Sequence, residues 1–109
     1  MRVINLANDF SDVPAGRFVT DGPFSGEKFR KSILVPAFKQ ERNIVVELDG
    51  GEGHGSSFLE EAFGGLIREE KFSLEELEER LVLDSKDELL VAEIWEYIKS
   101  AENVGLNAK

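Results

Sequence analysis

The sequence predicts one α/β domain: a small, mostly four-stranded mixed sheet packed by helices. Three observations carry this. The chain has 109 residues, 41% of them hydrophobic, which suits one core and leaves no room for a second. Short β-branched runs alternate with longer stretches of helical periodicity. The best strand, NIVVELD at Asn43 to Asp49, lies mid-chain and runs apolar without a break, as a strand covered on both faces does.

Taken in order, RVINLA opens with a short strand centred on Val3 and Ile4. Asn8 to Gly16 gathers Asn, Asp, Ser, Pro and Gly and reads as a turn. Arg17 to Thr20 is expected to form a second short strand, ended by the Asp21-Gly22-Pro23 turn. Ser25 caps a helix from Gly26, with Glu27 at the positive end of its dipole. Phe29, Ile33 and Ala37 form its buried stripe, and Pro36, which lacks a donor, is expected to kink or end it.

The central strand empties into the four-glycine loop GGEGHGSS and then a second helix. Phe58, Leu59, Ala62, Phe63, Leu66 and Ile67 form one face of that helix. Glu60, Glu61, Gly64, Gly65, Arg68 and Glu69 are expected on the solvent side. Ser57 with Glu60, Ser73 with Glu76 and Ser85 with Glu88 have the spacing of capping boxes. Arg80 to Asp84 supplies the last strand. The final helix starts at Lys86, buries Leu90, Ile94, Tyr97 and Ile98, and is expected to end near Gly105. Residues 1–102 are read as the domain and 103–109 as a frayed tail.

The formal net charge of −9 opposes binding to phosphate backbones and anionic lipids, so neither nucleic acid nor membrane is an expected partner. Much of that charge falls between Glu69 and Glu79, where it suits a solvated helix face. No apolar run is long enough to span a bilayer, and MRVINLANDF lacks the apolar stretch of a signal peptide. Cysteine is absent, which removes disulfide and thiolate chemistry. The expected location is the cytoplasm of a prokaryotic-type cell.

One segment invites a functional reading. Asp49 at the strand end, the loop residues Gly51, Gly53, His54 and Gly55, and a helix start at Ser56 and Ser57 form an arrangement suited to a ligand or partner. Unpaired amides and the positive dipole end favour an anion there, and the glycines permit close approach. Ser57 is expected to cap the helix, leaving Ser56 freer. His54 is the single histidine; a metal would need Asp49 and Glu52 from the same loop, so no metal site is assigned. Neighbouring serine and histidine rarely align as nucleophile and base, so no catalytic set is assigned either. The loop has neither the G-K-[ST] of a phosphate-binding loop nor G-x-G-x-x-G, and no cofactor is expected.

VVELDGGEGHGSSFLEEAFGGL resembles the central strand, loop and helix of the sulfate transporter and anti-sigma factor antagonist (STAS) domain. GRFVTDGPFSGEKFR and SSFLEEAFG together are closer to a STAS-like family of unknown function found in bacteria and archaea. The resemblance implies a STAS-like fold and a regulatory role. It places the antagonist branch's phosphoacceptor serine on Ser56, with Ser57 second, and implies a histidine-kinase-like ATPase as partner. Gly55 stands where the antagonists have an acidic residue, and Phe58 replaces a small one. The expected docking face runs from the loop along the helix through Glu61, Gly64 and Gly65. Two alternatives stay open: an anion- or nucleotide-binding protein or enzyme using the Asp49–Ser57 loop, and an antitoxin-like protein that neutralises a basic partner.

Overall fold

The computed structural model describes residues 1–51 and 53–107, with side chains through residue 102. Strand β1 (Arg2–Asn5) runs into a single turn, α1 (Leu6–Asp9), where Asn5 caps the amide of Asn8 at 2.9 Å. Helix α2 (residues 26–40) crosses back to β2 (Ile44–Glu47). Helices α3 (residues 56–68) and α4 (Leu74–Arg80) lead to β3 (Leu81–Asp84), and α5 (Glu88–Asn107) closes the chain. The strands pair in the order β1-β2-β3, all parallel, with Ile4 opposite Val46 and Val46 opposite Leu83.

The expected four-stranded mixed sheet is therefore a three-stranded parallel one. Arg17 to Thr20 is not a strand because its amides are taken elsewhere. The Asp21 carboxylate accepts from the amides of Arg17 (3.2 Å) and Phe18 (2.8 Å) and holds a 3₁₀ turn at Val19–Asp21. Local side-chain bonding outcompetes a ladder that no neighbouring strand offers.

Ser25 caps α2 as expected, accepting from the Lys28 amide at 3.1 Å. Pro36 does not end the helix, which continues to Gln40. The turn Arg30–Leu34 before it is π-helical, and this wider turn accommodates a residue without an N–H. A second π-helical turn, Glu60–Gly64, interrupts α3. Ser73 caps α4 as read. At α5, however, Asp87 takes the cap, accepting from Leu90 at 3.1 Å, because the Ser85 hydroxyl is turned to Asp49. The backbone of α5 passes Gly105 and is helical to Asn107; residues 108 and 109 lie outside the described residues.

The core lies between one face of the sheet and the helices. Ile4, Ile44, Val46, Leu81 and Leu83 meet Phe29, Leu34, Phe58, Leu59, Phe63, Ile94 and Ile98 there. Phe29 packs on Phe58 with centroids 5.8 Å apart and on Phe63 at 6.3 Å. The other face has no such layer: Val3 and Val82 are exposed and Val45 is half-buried, so β2 is not covered on both sides as its apolar run suggested.

Candidate functional site

The carboxyl ends of the three strands form the edge where open α/β sheets bind ligands. β1 leaves into α1, β2 into the glycine loop, and β3 into Ser85. Asp49 ties two of these exits together. Its carboxylate accepts from the Ser85 hydroxyl at 2.7 Å and the Lys86 amide at 2.9 Å. The Ser85 bond, with the Lys86 amide behind it, holds the Asp49 carboxyl below its ordinary value. Asp49 thus works first as a clamp between β2 and β3.

Gly51 and Gly53 have φ of 74° and 117°, conformations that side chains resist. At Gly51 space adds to the constraint, since a Cβ would lie 2.7 Å from the carbonyl oxygen of Asp12. The loop is thereby pressed onto the turn after α1. His54 is half-buried; burial lowers its pKa, against the opposing pull of the Leu48 carbonyl and the Asp49 charge. Glu52 lies outside the described residues. Among the described residues no three carboxylate or imidazole groups converge as metal ligands.

Gly55, not Ser57, stands at the N-cap of α3, and neither serine hydroxyl bonds to the helix backbone. The expected capping box is absent because Glu60 is engaged elsewhere. Ser56 and Ser57 are both exposed, immediately ahead of the buried Phe58 and Leu59. Asp49, Gly51, Gly53, Gly55 and the two serines are all solvent-facing, Ser57 contrary to the capping role expected of it.

Glu61, Gly64 and Gly65 do not belong to that surface. All three are buried, because α3 is the central helix, packed against α2 on one side and α5 on the other. A Cβ on Gly64 would lie 3.3 Å from the Tyr97 carbonyl oxygen of α5, and one on Gly65 would lie 2.2 Å from the Arg30 guanidinium of α2. The close approach these glycines permit is made within the domain.

The polar side of α3 instead carries a network of ion pairs. Arg30, 2% exposed, donates to the Glu61 carboxylate at 2.7 Å, to the Glu61 carbonyl at 2.6 Å and to Glu70 at 3.0 Å. Arg68 reaches Glu60 at 2.6 Å and Glu61 at 3.2 Å. Arg17 bonds to Glu60 and approaches Glu61 at 3.3 Å. Burial pushes the Glu60 carboxyl up, but the bonds from Arg68 and Arg17 outweigh it and hold the group below its ordinary value. Arg17 and Arg30 thus meet acidic partners on α3, and the segments GRFVTDGPFSGEKFR and SSFLEEAFG interlock here. The expected solvated face between Glu69 and Glu79 is only partly so: Glu70 pairs with Arg30, Glu76 with Arg80 and Glu79 with Arg42.

Two features escaped the sequence reading. Gly26 sits where a Cβ would lie 2.4 Å from the Phe58 carbonyl oxygen, so it sets the crossing of α2 and α3. Phe18, Val19 and Phe24 are exposed on the segment that leads into the start of α2. Phe24 packs edge-on against Phe10 at 5.8 Å, and Phe10 lies 6.0 Å from Phe58. A strand expectation over Arg17 to Thr20 concealed this patch, since alternation would have turned half of it inward.

Comparison with known proteins agrees with this architecture. The family described as the STAS-like domain of unknown function matches residues 25–88, from the cap of α2 to the first residue of α5. The chain belongs to that family. No curated protein and no solved structure matches it. Among the described residues no helix is long and apolar enough to cross a membrane.

Proposed function

We propose that this chain is a regulatory docking module that acts by binding a protein and not by catalysis. The docking surface is the loop from Asp49 to Gly55 with Ser56 and Ser57, extended by the exposed Phe24, which packs through Phe10 toward Phe58 at the start of α3. One observation carries the reading: both serine hydroxyls stand exposed and free of capping duty at the start of α3, immediately before the buried Phe58. Exposed aromatic side chains beside such a site supply the apolar anchors that dominate protein interfaces. By its resemblance to anti-sigma factor antagonists, the partner is a histidine-kinase-like ATPase, and Ser56 is the switch. A phosphate there adds about −2 charges at a helix N-terminus, which the helix tolerates and a docked partner of fixed charge does not. Neither nucleic acid nor membrane is a partner of a chain with this charge.

The test is recovery of the chain from its native cell under gentle conditions, followed by the intact mass of the complex and of the released chain. A co-purifying ATPase and a phosphate localised to Ser56 or Ser57 support the reading. An unmodified chain recovered alone removes it. The alternative, an anion or nucleotide held by the same loop, is favoured by the first-turn amides of α3, which no side chain among the described residues caps. It predicts saturable thermal stabilisation by a nucleotide or phosphorylated metabolite.

A further inference from the structure

The strand order 1-2-3 advances in one direction. Right-handed crossovers between successive parallel strands then put every connecting helix on the same side of the sheet. α2, α3, α4 and α5 all lie on the side of Ile4, Val46 and Leu83. The opposite side is left with two in-register rows, Val3–Val45–Val82 and Asn5–Glu47–Asp84. Val3 is 47% exposed and Val82 55%, and neither they nor Val45 belongs to the core. All-parallel sheets are otherwise covered on both faces. An open row of β-branched side chains in such a sheet is an unfilled layer.

We infer that this open face is a docking site for a basic amphipathic helix contributed by a partner protein. Width and charge both select that occupant. The two rows lie about 7 Å apart along the strands, so one helix of about 10 Å diameter laid across the three strands covers both. The apolar row would take the helix's apolar stripe. The row behind it is acidic: Glu47 accepts only a long bond from Asn5, at 3.4 Å, and Asp84 is exposed. Neither carboxylate has a cationic partner among the described residues. Lysine or arginine beside the apolar stripe would meet this row. A second copy of the chain would bring a further net charge of −9 to the same face. The site is separate from the Ser56 surface, on the far side of the sheet from α3.

The probe is a synthetic peptide of about 18 residues, with leucine at helical spacing and lysine and arginine on the flanks. Its control has the same composition in scrambled order. With isotopically labelled protein, the peptide is expected to shift the amide signals of Val3, Val45, Glu47, Val82 and Asp84. Val45→Thr/Val82→Thr, which keeps side-chain shape, should weaken binding at least about tenfold, equivalent to about 1.4 kcal/mol, with thermal unfolding little changed. Glu47→Gln/Asp84→Asn should weaken it and flatten its salt dependence, whereas Ser56→Asp should leave it unaltered. Equal binding of the scrambled peptide, or shifts elsewhere on the chain, overturns the inference. So does a concentration-dependent dimer in sedimentation that Val82→Lys disperses, which would give the face to a second copy.

Discussion

The Arg30 guanidinium and the Glu61 carboxylate meet at 2.7 Å between α2 and α3, with Glu61 only 4% exposed. Each lies in a π-helical turn, Arg30 at the first position of one and Glu61 at the second of the other. Two irregular turns in facing helices thus bring one buried pair together. Around it, Arg17, Arg68, Glu60 and Glu70 complete a network in which no buried side-chain nitrogen or oxygen among the described residues lacks a partner.

Breaking that pair from one side should cost far more than removing it whole. Arg30→Met leaves Glu61 buried beside lost donors and is expected to destabilise the fold by about 3–5 kcal/mol. The double variant Arg30→Met/Glu61→Met should recover a large part of this. Urea unfolding of the four proteins in the cycle reads the coupling. Additive losses would show that the two groups act independently.

Gly26→Ala should be destabilising although alanine favours helices. The added Cβ meets the Phe58 backbone oxygen, which cannot rotate away, so α2 and α3 must separate. The expected cost is about 1–3 kcal/mol in chemical unfolding, the usual penalty of overpacking. A stabilised protein would mean that the helices have room to spare.

Gly64 gives a related outcome of a different kind. Replacing it with leucine is expected to lower stability, since a Cβ there already crowds the Glu60 carboxylate and the Tyr97 carbonyl. If the variant unfolds at the wild-type temperature yet loses partner binding, Gly64 belongs to a docking face after all.

Acidification should weaken the fold in two stages. The lowered pKa of His54 means the native state holds it neutral while the unfolded chain takes up the proton. Its contribution is present above the ordinary value of 6.5 and declines as pH falls from there to the folded-state value. Glu60, also lowered, contributes above its ordinary 4.5 and loses that contribution as pH falls through the folded-state value. In thermal unfolding across pH, His54→Gln should flatten the first slope and Glu60→Gln the second. Unchanged slopes would place the titrating groups elsewhere.

Ser56→Asp should stabilise the protein by about 0.3–1 kcal/mol, because an exposed negative charge at the start of α3 faces the positive dipole end. Denaturant unfolding at low salt checks this, and a destabilised variant would argue that the Ser56 hydroxyl has a structural partner.

The residues along the chain determined what depends on near neighbours. The Ser25 and Ser73 caps and the β-branched strands at Val3, Val45 and Val82 all follow from contacts a few positions long. Tertiary structure decided the rest. Whether Arg17 to Thr20 joined the sheet depended on an edge being free and on Asp21 claiming its amides. Whether Glu61, Gly64 and Gly65 faced solvent depended on α3 having a helix on each side, which no single-helix periodicity reveals. The open valine row is the same lesson reversed. NIVVELD is apolar enough for two covered faces, but a strand order advancing one way through right-handed crossovers places every helix on one of them.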